Sequence, residues 1–161
     1  VAQATLWNRL NDKIEKVDAE NILTLSLAEL QSIGMTFRKA EYIMDFSKKV
    51  YDGSFDIDGL NNMSDEAVIK ELSALKGIGV WTAEMIMTFC MQRPDIVSFG
   101  DLAILRGMRM LYRHREIDRE RFRKICKRYS PYGTVASLYL WAIAGGAIKE
   151  LSDPAPKKVK K

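Results

Sequence analysis

Apolar residues recur at helical spacing along most of this 161-residue chain, and no stretch shows the strict alternation that is typical of a half-buried strand. The first pattern joins Leu6, Leu10, Ile14 and Val17, which predicts one helix containing all four. Further patterns, together with capping signals, predict helices at 25–32, 37–51, 64–75, 80–92, 101–112, 118–127 and 132–149, with one helical turn at 56–61. The fold class is therefore predicted to be all-α.

Two of these helices carry clear apolar stripes. The helix at 80–92 has a stripe of five residues with two more on its flank: Ala83, Ile86, Met87, Cys90 and Met91, then Met85 and Phe89. The helix at 101–112 is predicted to face the core with Leu102, Leu105, Met108 and Tyr112. The segment at 32–46 weakly resembles the segment at 76–89, which indicates either a second helical corner or a coincidence.

Length and composition favour one helical domain at 1–150, followed by a basic disordered tail at 151–161. The chain is long enough to bury a real core, and no apolar run reaches transmembrane length, so no membrane partner is expected. Cys90 and Cys126 are too few for a disulfide framework or a zinc site. A reduced, cytoplasmic setting is the default expectation.

Charge is distributed unevenly along the chain. Residues 1–105 hold 10 Lys/Arg against 16 Asp/Glu, whereas residues 106–161 hold 15 against 5. Ten of the basic residues lie between positions 106 and 128. A basic half on an otherwise acidic chain favours a polyanionic partner, and a solvated helix face is the simpler alternative.

The sequence Gly77-Ile78-Gly79 separates the helix that ends near Leu75 from the helix that starts at Val80. Two glycines so close together allow a tight turn and the close approach of another backbone. The amide groups of Val80, Trp81 and Thr82 begin the next helix without intrahelical partners, and such a start attracts an anion. The alternative is a tight corner with no ligand. No Gly-Lys-Ser/Thr ending is present, so the motif is not a nucleotide P-loop.

Asp101 follows the second glycine by 22 positions and begins the helix at 101–112. The helix dipole and free N–H groups favour its ionised form there. An ordinary N-cap aspartate would have the same sequence signature. The spacing lets one short helix and one loop return Asp101 to the glycine corner, so that phosphate anchor and carboxylate face one nucleotide. A fixed carboxylate can stabilise positive charge that develops in a transition state.

This combination of helix, Leu-x-Gly-Ile-Gly, helix and helix-initiating Asp resembles the helix-hairpin-helix DNA glycosylase superfamily. The fold that this resemblance implies has two helical subdomains around a cleft. The motifs GIG-x-WTA, then Pro94-Asp95, then Gly100-Asp101 resemble its 3-methyladenine DNA glycosylase II branch. The resemblance covers roughly residues 1–148 and is strongest at 72–112. It implies that the partner is damaged double-stranded DNA and that the protein is a monomer, nucleoid-associated if bacterial.

Position by position, the resemblance implies that Asp101 is the catalytic aspartate and that Trp81 and Trp141 are aromatic pocket residues against which a flipped base lies. Each tryptophan taken alone is more often a core residue. Met85 stands where one well-known member has an aromatic residue, which weakens stacking. An alkylated purine leaves easily, which agrees with a site that has no second obvious carboxylate.

The resemblance also bears on cofactors. Bifunctional relatives carry a Schiff-base lysine just inside the helix after the hairpin, where this chain has Val80-Trp81-Thr82, so no lyase activity is expected. The iron–sulfur cysteine quartet of some relatives is absent. A monovalent cation, Na or K, is expected at the backbone carbonyls of Ser73, Leu75 and Ile78. The loop that fills the gap left by a flipped base would precede Val1.

Three functions are compatible with these patterns. The first is a monofunctional DNA N-glycosylase for alkylated purines of the 3-methyladenine type, acting in base excision repair. The second is a non-catalytic helix-hairpin-helix module that only binds DNA. The third is an interaction protein whose basic face meets an acidic partner.

Overall fold

Every regular element in residues 2–156, the part of the chain that this computed structural model describes, is helical. The all-α prediction is confirmed. The chain divides into two compact units, residues 1–79 and residues 80–161, which agrees with the expected two helical subdomains. Among the described residues no helix combines the length and the apolar character needed to cross a membrane.

The first unit is built from short helices whose starts are fixed by polar caps. Its elements are α1 (Ala2–Asn11), α2 (Ala19–Ile22), α3 (Leu27–Ser32), α4 (Phe37–Tyr51), a 3-10 turn (Asp58–Asn62) and α5 (Asp65–Ser73). The side chains of Ser26, Thr36 and Ser64 accept hydrogen bonds from the free amides of α3, α4 and α5. The buried cluster of this unit comprises Ile14, Ile22, Leu30, Ile33 and Ala40.

The first predicted helix is too long. Helix α1 ends at Asn11, where the Asn11 amide donates to the Trp7 carbonyl at 2.8 Å, and the chain then turns. Ile14 is nevertheless only 7% exposed and Val17 packs against the same cluster. The apolar spacing therefore identified which residues are buried but not which are helical, because a residue in a turn can be buried as well as a residue in a helix.

The second unit places its helices around a second cluster. Its elements are α6 (Val80–Phe89), α7 (Leu102–Tyr112), α8 (Arg119–Tyr129) and α9 (Gly133–Ala144). The buried members of the cluster are Ile104, Met108, Ile117, Phe122, Ile125 and Leu140. Helices α7 and α9 approach closely at Gly107, where an added Cβ would lie 2.3 Å from the Leu140 carbonyl oxygen. Gly107 is therefore required for this contact.

Two predicted core positions are wrong. Leu102 is 81% exposed, and Ile104 takes the buried position in the first turn of α7. Cys90 is exposed because α6 ends at Phe89, one turn earlier than predicted, so residue 90 leaves the buried face. Both errors arise at helix ends. There the apolar spacing along the sequence is a poorer guide to which side chains are buried.

The predicted disordered tail is partly ordered. Asp153 accepts two hydrogen bonds from the Arg109 guanidinium on α7, at 2.8 Å and 2.6 Å. This pairing raises the pKa of Arg109 and lowers the pKa of Asp153. Residues 151–156 are thus tied to the second unit, and the prediction for residues 157–161 lies outside the described residues.

Candidate active site

Asp101 caps helix α7. Its backbone is extended, and its Oδ1 atom accepts hydrogen bonds from the amides of Ala103 at 2.8 Å and Ile104 at 2.9 Å. A short polar side chain in this geometry satisfies amides that the helix itself leaves free. The predicted position of Asp101 at a helix start is confirmed, and the remaining oxygen, Oδ2, faces other partners.

Two tryptophans complete the surroundings of this carboxylate. The indole Nε1–H of Trp81 donates to Asp101 Oδ2 at 3.0 Å, and hydrogen bonding by the Trp141 side chain also acts to lower the pKa of Asp101. Trp81 is 49% exposed and Trp141 is partly buried. The structure therefore brings together the three residues that the sequence singled out. The indoles act here as donors to the carboxylate, a role that the sequence did not indicate.

The balance of burial and hydrogen bonding keeps Asp101 charged. The side chain is 8% exposed, and the loss of water by itself raises the pKa of a carboxyl group. Hydrogen bonds from the two indoles and from two backbone amides of α7 favour the ionised form and outweigh that effect. The pKa of Asp101 therefore lies below its ordinary value, and the site holds a negative charge at neutral pH.

The loop that leads to Asp101 is anchored to the start of α9. The Asp95 carboxylate accepts a hydrogen bond from the Gly133 amide at 2.9 Å. The Ile96 amide donates to Thr134 Oγ1 at 3.0 Å, and the Ser137 hydroxyl donates to the Ile96 carbonyl at 2.9 Å. These contacts join residues about 40 positions apart, so sequence spacing gave no signal of them.

One face of α6 carries three large side chains at intervals of four residues: Trp81, Met85 and Phe89. Phe89 is 57% exposed and stacks on Trp141, with ring centroids 5.6 Å apart and an interplanar angle of 17°. Met85 is partly buried one turn before it. The sequence placed Phe89 only on a flank, although its spacing from Trp81 was a usable signal. Phe89 adds an aromatic ring to the surface around Trp141.

A second carboxyl group lies near Asp101, contrary to the sequence-based expectation. Glu84, on α6, accepts a hydrogen bond from the hydroxyl of Ser98. Partial burial raises the pKa of Glu84, and the negative charge of Asp101 raises it further, while the Ser98 hydrogen bond acts in the opposite direction. Sequence reasoning missed this residue because an acidic residue within a helix is ordinarily a solvated one.

The two glycines of the corner differ in their surroundings. Gly77 has a φ of +84°, and an added Cβ would lie 2.1 Å from Cδ2 of Tyr42 on α4. Gly79 has nothing within 4 Å of the corresponding position. Val80 and Trp81 at the start of α6 are about half exposed, and Thr82 is partly buried. Gly77 therefore makes the turn, and Gly79 leaves an open approach to the helix start.

The carbonyls expected to hold a cation lie at the end of α5 and in the corner. The Ile78 amide donates to the Leu75 carbonyl at 3.2 Å, which leaves that oxygen one further lone pair. Ser73, Leu75 and Ile78 have only neutral oxygens, three backbone carbonyls and the buried hydroxyl of Ser73. Among the described residues no group of three His, Cys, Asp or Glu side chains has the arrangement of a metal site.

The amino-acid sequence of this chain is similar to a known protein family and to several characterised proteins. Residues 1–131 match the HhH-GPD family model, described as HhH-GPD superfamily base excision DNA repair protein. The chain is 29% identical over 127 residues to DNA-3-methyladenine glycosylase 1 of Schizosaccharomyces pombe, which covers 76% of this chain and 54% of that protein. The chain spans about half the length of the curated relatives it matches.

Two solved structures show the same architecture. A DNA-3-methyladenine glycosidase from Bacillus halodurans superposes with a TM-score of 0.81 at 36% identity, over 92% of this chain and 70% of that one. A 3-methyladenine DNA glycosylase from S. pombe, in complex with abasic DNA, gives a TM-score of 0.74 at 26% identity, over 89% of this chain and 71% of that one.

Proposed function

This chain belongs to the HhH-GPD superfamily of base excision DNA repair proteins, and from that premise we propose that it is a monofunctional DNA N-glycosylase. Its substrates are alkylated purines of the 3-methyladenine type in double-stranded DNA. The names of the similar proteins support this substrate class. The observation that carries the proposal is the charged carboxylate of Asp101, held by the indole of Trp81 at 3.0 Å.

Asp101 acts in this mechanism as a fixed negative charge. Breaking the N-glycosidic bond develops positive charge on the sugar, which a nearby carboxylate stabilises. Oδ1 is committed to two backbone amides, so Oδ2 is the oxygen that we assign to the sugar. A lowered pKa makes the carboxylate a weak base. Its main contribution is therefore electrostatic, and water completes the hydrolysis.

The base to be removed must leave the helix stack. We propose that it lies against the aromatic surface formed by Trp81, Trp141 and Phe89, next to Met85. An alkylated purine carries positive charge, and electron-rich rings attract cations. Extrusion costs a few kcal/mol in lost stacking and pairing, and less for a damaged base, which contributes to selectivity.

We assign binding of the DNA backbone to the glycine corner at 77–79 and to the basic half of the chain. The open side of Gly79 and the exposed start of α6 leave room for a phosphate at Val80, Trp81 and Thr82. The basic side chains between positions 106 and 128 add an attraction that salt weakens. A monovalent cation at the carbonyls of Ser73, Leu75 and Ile78 would neutralise part of a phosphate charge. The protein is proposed to act as a monomer.

One observation favours the alternative of a non-catalytic DNA-binding module. Both oxygens of Asp101 already have hydrogen-bond partners, and the side chain is 8% exposed, as for an ordinary structural cap. This alternative predicts salt-sensitive DNA binding without base release, and binding that is unaffected by substitution of Asp101.

The decisive experiment compares Asp101→Asn with Asp118→Asn on duplex DNA containing methylated purines. Asp118 is the matched control, because it caps α8 through the Arg121 amide at 2.7 Å and lies at the surface. We expect Asp101→Asn to slow the release of free base by about a hundredfold or more. Asp118→Asn should leave the rate within about twofold, since substitutions of exposed residues usually have small effects.

Three results would count against this proposal. Equal rates for wild type and Asp101→Asn would remove the assigned role. DNA binding without any base release would establish the module. Strand cleavage through an adduct trapped by borohydride would contradict the monofunctional assignment, because trapping needs a Schiff base.

A further inference from the structure

Helix α6 and the loop before α7 are joined by two side-chain hydrogen bonds in parallel. Trp81 donates to Asp101, and Ser98 donates to Glu84. The two residues on α6 are three positions apart and therefore neighbours on one helix face. Their partners in the loop are also three positions apart. A loop held at one point can still pivot, whereas two separated points fix its orientation against the helix.

The second of these bonds lies deeper in the protein than the first. Ser98 is completely buried, and its hydroxyl donates to Glu84. A buried hydroxyl without a partner is unfavourable, so loss of the Glu84 acceptor would displace the loop or admit water. An added Cβ at Gly100 would lie 3.8 Å from Cβ of Trp81, an ordinary contact distance, so the loop passes beside the Trp81 side chain.

The rest of the loop is held by other contacts, so Glu84 acts only on the segment around Ser98. Asp95 and Ile96 are bound to the start of α9, and Asp101 begins α7. Between these points, the Ser98 side chain hydrogen-bonds to Glu84 on α6, and Phe99 packs edge-on against Phe122. The negative charge of Asp101 contributes to raising the pKa of Glu84, so the two carboxyl groups interact.

We propose that Glu84 is a positioning residue: through Ser98 it holds the loop that sets Asp101 against Trp81. This inference rests on the proposed glycosylase function for its kinetic consequence, but not for its structural one. Glu84 has no assigned contact with the substrate. Its effect is transmitted by a hydrogen bond, so the acceptor oxygen matters and the negative charge does not.

The first test reads the position of the Trp81 indole directly. The chain contains three tryptophans, so its indole N–H groups give three signals in a ¹⁵N-labelled sample, with Trp7 in the first unit as internal reference. Glu84→Ala and Ser98→Ala should both shift the Trp81 signal. Glu84→Gln keeps an acceptor oxygen and should leave that signal in place, as should the exposed control Glu116→Ala.

The second test reads the rate of base release in a single turnover. Glu84→Ala should slow the reaction about ten- to a hundredfold with unchanged DNA affinity, because misplacement of about 1 Å has that effect. Glu84→Gln should stay within about threefold of wild type. The double variant Glu84→Ala, Ser98→Ala should be no slower than the slower single variant, since both remove one interaction.

Either readout can overturn the proposal. An unmoved Trp81 signal in Glu84→Ala, a Glu84→Gln variant as slow as Glu84→Ala, or additive losses in the double variant would each show that Glu84 does not act through Ser98. If the wild-type protein releases no base, the proposed function fails and the indole signals alone decide the positioning role. If Glu84→Ala does not fold, the Trp81 signals and the rates of Glu84→Gln and Ser98→Ala test the same positioning role.

Discussion

Asp101 retains its charge in a place that water hardly reaches, and the donors that make this possible are in position before any substrate binds. Preorganised hydrogen bonds require no rearrangement when the reaction begins, which is why they are effective in catalysis. The same bonds make the carboxylate a weak base. Among the roles open to a carboxylate, they therefore favour stabilisation of positive charge over deprotonation of water.

The lowered pKa of Asp101 predicts a pH-dependent contribution to stability. The pKa of Asp101 in the folded protein lies below its unfolded value of about 3.9. Its contribution to the free energy of unfolding is therefore complete above that pH and is lost as the pH falls through the folded pKa. At pH 7 we expect Asp101→Asn to lower the free energy of unfolding by about 1–3 kcal/mol, because the amide cannot satisfy all the donors. Urea unfolding of both proteins at pH 7 and near pH 3 measures the difference, and an equal gap at both pH values would contradict the prediction.

At the scale of elements, the corner between α5 and α6 divides two tasks between two glycines. Gly77 supplies the left-handed backbone and tolerates the Tyr42 ring, whereas Gly79 supplies open space. A glycine that the turn requires and a glycine that we propose for ligand approach therefore look identical in the sequence. Only their surroundings distinguish them.

Alanine substitution at each glycine separates the two tasks. Gly77→Ala should lower the free energy of unfolding by about 2 kcal/mol or more, because of its positive φ and the clash with Tyr42. Gly79→Ala should change stability by less than about 0.5 kcal/mol and should weaken DNA binding, because its methyl group occupies the space left for a phosphate. Denaturation and DNA titration at fixed salt measure the two effects. Unchanged binding by Gly79→Ala would exclude a phosphate contact at this position.

Helix starts were predicted better than helix ends for a local reason. Thr36, Ser64 and Asp118 bind amides within three residues of themselves, so the signal for each start is contained in the sequence around it. The end of α6 has no such residue, and the prediction extended it from Phe89 to Gln92. Gln92 adopts a φ of +53° after the helix, a conformation that the apolar pattern did not indicate.

At the scale of the whole molecule, the end of the chain is bound to the second unit by a partly buried ion pair. The side chains of Arg109 and Asp153 are 20% and 22% exposed and are joined by two hydrogen bonds across 44 positions. Solvent screens such a pair less than it screens a surface pair. Arg109 is consequently less available to a nucleic acid than its place in the basic stretch indicates.

Removing this link should destabilise the second unit. We expect Asp153→Ala to lower the free energy of unfolding by about 1.5–3 kcal/mol, the usual range for hydrogen bonds to charged groups. Glu120→Ala is the matched control, because the Lys124–Glu120 pair is 72% and 76% exposed and should contribute less than about 1 kcal/mol. Urea unfolding of both variants tests the difference. Equal stabilities would show that residues 151–156 are not held by this contact.

The sequence by itself determined the helical class, most helix starts and the residues on which the proposed chemistry depends. The helical class and the helix starts follow from interactions within about four residues, such as N-caps and apolar spacing, whereas the site residues were indicated by the resemblance to a known family. Asp101 could be selected in this way because it combines a cap signal with a glycine corner at a fixed distance. The residue identities were sufficient for that inference.

Tertiary structure alone decided which of these residues act on one another. The hydrogen bonds from Trp81 to Asp101 and from Ser98 to Glu84, and the stacking of Phe89 on a distant tryptophan, join positions that are 14 to 52 residues apart. Such pairs depend on how helices pack, and helix packing depends on contacts throughout each unit. No local pattern contains that information, which is why the second carboxyl group became visible only in the folded protein.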